Sequence, residues 1–311
     1  MTARELHTLL QSARPPTLLH VLPSEVFAAA RIPGSQNACV YEMTFLDQVR
    51  ALVPGRSVPV IVYGAGAGSL DAVTAVEKLR AAGYSQVQAF GGGLVAWQSA
   101  GLPFEGDGKL PQQPVPEGTF RLDTAQSIIR WTGRSPFNYH SGTVRLAGGE
   151  IVLHQGRLVS ARFTAAMTGI ANEDITDPAL NALLIAHLRS PDFFDVTQHP
   201  TAQFTADSAQ RIAACTDGTP NHLLRGTFTL RGISRPLEFP VLIATTGDGQ
   251  RLTGQGQFEF DRTAYGSHYG SGKLFRFLGK HLVNDLIHLH VKIHAVRPSM
   301  SESSPSKSSR E

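Results

Sequence analysis

Between residues 119 and 296 the sequence holds eight runs with strand character, and these runs most narrow what the chain can become. They span 119–133, 143–156, 157–169, 201–212, 222–232, 236–246, 251–262 and 285–296, with Gly, Asp and Asn at the joints. Side chains on a strand point alternately to opposite faces, so alternation in the sequence reports which face is buried. The run 158–167 sets Val159, Ala161, Phe163, Ala165 and Met167 against Ser160, Arg162 and Thr164. The run 251–261 sets Gly254, Gly256, Phe258 and Phe260 against Gln255, Gln257 and Glu259. The last run sets Ile287, Leu289, Val291, Ile293 and Ala295 against His288, His290, Lys292 and His294. One wet face and one apolar face on each strand predict an all-β antiparallel barrel or sandwich. Ala161, Ala165, Gly254 and Gly256 recur on the apolar face and leave room that larger side chains would fill.

A helix is predicted to interrupt these strands from Asp177 to Arg189, with Pro178 suited to its first turn. It leads into HLRSPDFFDVTQHPTAQF (187–204), where Phe193 and Phe194 lie between Asp192 and Asp195. Adjacent aromatics in an acidic loop need an apolar surface to cover. A barrel end supplies one, so the segment is read as a lid or plug. Further on, residues 262–285 form a long connection that reads either as an ordinary link with a short helix or as a loop over the barrel mouth whose Arg276, Lys280 or His281 meets a polar or phosphorylated head group. Asp261 and Arg262 are expected to pair and close a strand end.

The first hundred residues read differently. SVPVIVYG (57–64) is a buried strand ending in glycine, and 69–84 has helical spacing with Leu70, Val73, Val76 and Leu79 on one side. SQVQAF (85–90) is a second strand, and GGGLVAWQSAGLP (91–103) turns into a short helix. Alternating strands and helices predict an α/β unit with a parallel sheet. The loop Gly64, Ala65, Gly66, Ala67, Gly68, Ser69 joins a strand to a helix N-terminus. Its backbone N–H groups and the helix dipole suit an anion. The same glycines also suit a plain tight turn. The spacing matches neither GxGxxG nor a P-loop.

RIPGSQNA (31–38), VIVYG with its six-residue loop and helix, GYSQVQAFGGG (83–93) and the set Trp97, Gly101, Pro103 resemble a rhodanese domain. That resemblance implies a sulfurtransferase whose loop opens with a nucleophilic cysteine. Here the position is Gly64, so the resemblance is to an inactive member. The early Asp-Val-Arg of the family is His20, Val21 and Leu22, and Arg31 stands where a histidine is usual. Cys39 follows the Ile-Pro-Gly turn rather than opening a helix, and reads as a small buried residue. The second half resembles the YceI-like family through residues 187–204, GTFTLRGISRPLEFPV (226–241) and FDRTAYG (260–266). This implies a lipocalin-like antiparallel eight-stranded barrel with one capping helix, holding a polyisoprenoid or quinone-type lipid and no catalytic residues. Val159, Ala161, Phe163, Met167, Phe193, Phe194, Phe258, Phe260, Ile287, Leu289 and Val291 are then the lumen and lid residues.

The expected division is a rhodanese-like domain over 1–105, a Pro/Gly linker over 106–117, the barrel over 118–297 and a disordered Ser-rich tail over 298–311. Cys39 and Cys215 are too far apart in sequence to suggest a disulfide framework. The net charge of +3 is spread without a basic cluster, which argues against nucleic acid. No apolar run approaches the roughly 18 residues of a membrane-spanning helix. Without a recognisable signal segment, the expected location is cytoplasmic. No cofactor is required and no metal is expected, although His288, His290 and His294 share a strand face. The expected partners are an apolar lipid and, for the first domain, a protein partner or an anion, and a homodimer is allowed. The alternative is a sulfurtransferase-type enzyme with a non-standard nucleophile, or an anion site, at the 64–69 loop.

Overall fold

The computed structural model describes residues 1–109 and 115–298, so the linker core at 110–114 and the tail from 299 lie outside the described residues. The chain divides into two compact units between Gln112 and Gln113.

The first unit runs α1 (Ala3–Leu10), β1 (Thr17–His20), α2 (Ser24–Ala29), β2 (Gln36–Asn37), α3 (Phe45–Leu52), β3 (Val60–Tyr63), α4 (Asp71–Ala81), β4 (Val87–Phe90) and α5 (Gly93–Ser99). The strands form one parallel sheet in the order β2-β1-β3-β4. All four residues of β3 are buried, which explains its unbroken apolar run: helices cover both faces of a parallel sheet. On α4 the buried apolar residues are Ala72, Ala75, Val76 and Leu79, whereas Leu70 and Val73 are exposed. The predicted stripe was therefore rotated, because small alanines rather than the larger Leu70 and Val73 sit against the strand. The start of the expected linker belongs to this unit. Arg31 and Glu105 form a β-bridge and an ion pair at 2.9 Å, and the N–H of Gly108 donates to the carbonyl of Ala29.

The second unit runs β5 (Gly118–Leu122), β6 (Ile128–Arg134), β7 (Tyr139–His154), β8 (Arg157–Ala166), β9 (Ala171–Asn172), α6 (Pro178–Arg189), β10 (Thr201–Arg211), β11 (His222–Leu230), β12 (Ile233–Thr245), β13 (Arg251–Asp261) and β14 (Leu286–Val296). β5 and β6 both lie between β7 and β14, one at each end, and together act as a single interrupted stave. The remaining staves follow antiparallel through β7, β8, β10, β11, β12, β13 and β14, and the β14–β6 pairing closes an eight-stave barrel. Closure pairs every stave on both sides, and the short β9 adds to β7 alone. The expected helix is α6, whose N-cap Asp177 accepts from the N–H groups of Ala179 and Leu180 at 2.8 and 3.0 Å. Among the described residues no helix is long and apolar enough to cross a membrane.

Candidate functional site

The barrel is not filled by its own side chains. Two cavities lie along its axis, one of about 540 Å³ toward α6 and one of about 1230 Å³ toward the other end. Ile129, Leu146, Phe163, Phe204, Phe228 and Leu289 border both, forming a waist. An apolar cavity of about 150 Å³ already admits a benzene-sized guest.

Most of the residues read from alternation face this interior. Ala161, Phe258 and Val291 border the larger cavity, and Met167, Phe193, Phe194, Phe260 and Ile287 the smaller. Phe163 and Leu289 sit at the waist. Met167 arrives there from a 3₁₀ turn (Met167–Gly169) just past the end of β8 rather than from the strand itself. Val159 is a correction. Leu153 pairs with Leu158 and Val152 with Ser160, so Val159 is the extra residue of a β-bulge. The bulge turns Val159 out to solvent, 57% exposed, and brings Leu158 to the cavity wall in its place. The interior also contains Trp131, Leu146, Phe204, Phe228 and Phe239, which strand alternation in their own runs would have found. Phe239 stacks on Phe258 with ring centroids 4.1 Å apart.

The two inward glycines of β13 do different work. A Cβ on Gly256 would lie 3.1 Å from the Phe239 ring and 3.2 Å from Val241, so that glycine accommodates an aromatic. A Cβ on Gly254 would meet nothing nearer than Ile293 at 3.7 Å, so its space belongs to the cavity.

The α6 end is closed by the segment that follows the helix. Phe193, Phe194 and Val196 are buried, with the N–H of Phe194 donating to the carbonyl of Leu188 and that of Val196 to the carbonyl of Arg189. His187 sets its ring edge-on against Phe193 and Tyr269, with centroids 4.9 and 4.5 Å away. Beneath lies Arg262, wholly buried, donating to the carbonyls of Ser267, Asn284 and Val283 at 2.7, 3.1 and 3.2 Å. Its guanidinium stands 5.5 Å from the Phe193 ring centre and 3.5 Å from Asp285. Burial lowers its pKa against the opposing pull of Asp285 and Asp261. The expected Asp261–Arg262 pair does not form: Asp261 caps the turn Arg262–Tyr265 and pairs with Lys273, while Arg262 pairs with Asp285. Burial, which alone would raise the Asp261 pKa, is outweighed by hydrogen bonds from Lys273 and Thr263, and the carboxyl lies below its usual range.

In the first unit the 64–69 loop encloses a carboxylate supplied by the chain. Asp71 is buried and accepts from the Ala65 N–H at 3.0 Å and the Ser69 hydroxyl at 2.7 Å. A Cβ on Gly64 would fall 2.2 to 2.5 Å from that carboxylate, so no side chain fits at 64 while Asp71 keeps this position. Nearby His20 is buried between Phe27 and Tyr63, and burial pushes its pKa down to about 4 despite Asp71. Cys39 is buried and Cys215 half-buried, both as free thiols. His288, His290 and His294 are half-buried on the outer barrel face, and no group of three or more metal-ligating side chains is found among the described residues.

No curated protein matches the chain. Among solved structures it is similar to BcnA of Burkholderia cenocepacia, with 18% identity over 56% of this chain and 99% of that one, at a TM-score of 0.44. A polyisoprenoid binding domain from Saccharophagus degradans gives 14% identity over 58% of this chain and 98% of that one, also at 0.44. The Alr3790 protein from Anabaena sp. gives 30% identity over 34% of this chain and 91% of that one, at 0.31. Family models match a rhodanese-like domain at residues 2–100 and a YceI-like domain at residues 120–295, and the chain therefore belongs to the YceI-like family and carries a rhodanese-like domain ahead of its barrel.

Proposed function

We propose that this protein is a non-catalytic binder of an apolar polyisoprenoid or quinone-type lipid, held along the barrel axis. The observation that carries the reading is the unfilled interior, walled by aromatic and aliphatic side chains and capped by Phe193 and Phe194. Ligand sites of this kind are concave, largely apolar and of a few hundred to about 1,000 Å³. A chain-like guest uses both cavities through the waist better than a compact one does. Two or three isoprene units bring ten to fifteen carbons, about 8 to 12 kcal/mol gross at about 0.8 kcal/mol each, before association costs. One of the solved neighbours is itself described as polyisoprenoid binding, but the proposal stands on the interior alone.

The rhodanese-like domain is read as a recognition module without sulfur transfer. Glycine at 64 offers no thiolate, and the thiolate is the nucleophile in that chemistry. The Asp71 carboxylate already takes the Ala65 N–H and the Ser69 hydroxyl and puts a negative charge in the loop, which also weighs against the anion-site alternative.

The test uses the two tryptophans, Trp97 in the rhodanese-like domain and Trp131 at the smaller cavity. Titration with a short-chain quinone is expected to quench fluorescence saturably, and the quenching should vanish in Trp131→Phe. Absence of saturable quenching, or quenching that survives that substitution unchanged, would refute the proposal.

A further inference from the structure

The connection 271–282 reads Ser-Gly-Lys-Leu-Phe-Arg-Phe-Leu-Gly-Lys-His-Leu, with three cations and no carboxylate. It lies at the α6 end, where Lys280, His281 and Leu282 border the smaller cavity. Leu274, Phe275 and Phe277 are exposed, Phe277 completely. Phe277 also takes a left-handed φ of +60°, an unfavourable conformation for a large side chain, with no burial inside the protein to offset it. On the same mouth, Phe137 borders the cavity yet is 87% exposed, and Tyr139 beside it is exposed as well. On α6, whose Leu184 and Leu188 border the cavity, Leu180 and Leu183 face solvent. Exposed apolar side chains on three segments that each border one cavity mark an interaction surface.

The charges select the partner. Of the carboxylates nearby, Glu259 pairs with Arg134, Asp261 with Lys273 and Asp285 with Arg262, while Asp192 of the lid segment is exposed and 3.7 Å from His187. Arg276 and Lys280 are exposed and have no carboxylate partner among the described residues. We propose that the α6 end of the barrel docks on an anionic membrane surface, inserting Phe275, Phe277 and Phe137 at the interface and setting Arg276 and Lys280 against lipid phosphates. Aromatic residues mixed with cations suit the boundary between head groups and acyl chains. The apolar side chains come from separate segments: the turn before β7, the helix α6 and the 271–282 connection. A fluid bilayer can receive such separate points without one complementary rigid surface. Docking in this orientation turns the Phe193–Phe194 lid of the smaller cavity toward the membrane, so a lipid that passes the lid moves between bilayer and lumen without crossing water.

The proposal rests on the lipid-binding reading for what docking serves, but the two fail separately. Full-length protein is sedimented with vesicles of mixed phosphatidylcholine and phosphatidylglycerol, and with phosphatidylcholine alone. Binding is expected to the anionic vesicles and to weaken as salt screens the cations. Phe275→Ser/Phe277→Ser should weaken it about tenfold or more, and Arg276→Gln about fivefold. The double variant should keep the Trp131 quenching by a water-soluble quinone. Failure of wild-type protein to bind anionic vesicles, or undiminished binding by the double variant, overturns the proposal. So does a dimer in vesicle-free buffer that the double variant dissolves, since the patch would then serve a second copy. Loss of quenching with vesicle binding intact overturns the lumen reading and leaves the docking surface standing.

Discussion

Gly254→Phe separates an open lumen from a closed core. The added Cβ meets nothing closer than Ile293 at 3.7 Å, and the ring projects into a cavity of about 1230 Å³. If the barrel were a packed core, a benzyl group there would overpack it and cost about 1–3 kcal/mol of stability. With the space open, the ring gains apolar contacts and the strand loses a flexible glycine, so stability is expected to hold or rise by about 1 kcal/mol. Binding responds in the opposite direction. The benzyl group takes the place of about seven ligand carbons, a gross loss of about 6 kcal/mol at about 0.8 kcal/mol per carbon. A flexible lipid recovers part of that in the volume left, so the expected net loss is about 1.5–3 kcal/mol, or roughly ten- to a hundredfold in Kd. Urea unfolding and Trp131 quenching read the two effects on the same sample. Lower stability with unchanged affinity would refute the reasoning. Gly256→Ala is the control two residues away: its Cβ would press on Phe239 at 3.1 Å, so it should destabilise where Gly254→Ala does not.

Arg262→Met removes hydrogen bonds to three carbonyls and leaves the mostly buried Asp285 with only Lys273, 3.8 Å away, for an expected cost of about 3 kcal/mol in chemical unfolding. Phe193→Ala should cost about 3 kcal/mol or more and speed lipid release, measured by stopped-flow transfer to vesicles. Gly64→Cys is expected to destabilise the rhodanese-like domain and show no thiosulfate turnover, because its Cβ would collide with Asp71; adding Asp71→Ala should restore stability. His20 makes that domain acid-sensitive. Its folded pKa, about 4, lies below the unfolded value of about 6.5, so the unfolded state binds the proton first and stability falls as pH drops from about 6.5 to about 4, by about 3 kcal/mol in all. His20→Gln should flatten that part of the profile in a pH series of thermal melts.

The barrel was legible because alternation reports directly on which side of a strand is buried, and β13 and β14 alternate without interruption. It failed where the backbone departs from a regular strand. At Val159 a bulge adds one residue and reverses the faces of everything before it, and no local residue type announces the bulge. Similarly, the break at 123–127 splits one stave into β5 and β6, which the sequence presents as a single run. Phe193 and Phe194 were legible as aromatics that need an apolar surface, and both are buried at the α6 end, but the nearby Arg262 was assigned to the wrong carboxylate. Adjacency suggested Asp261, whereas the geometry places Asp285, far along the chain, beside it. In the first unit, glycine spacing left both a tight turn and an anion cradle open, the turn favoured. The contact between Asp71 and the space above Gly64 exists only in three dimensions and could not be read from that spacing.

The most direct test of the central claim is mass spectrometry of an organic extract from the purified full-length protein, with Gly254→Phe prepared alongside. An isoprenoid or quinone lipid is expected at close to one per barrel in the wild type and at a clearly reduced level in the variant. A wild-type extract without such a lipid, or equal amounts from both proteins, would contradict a lumen that holds one.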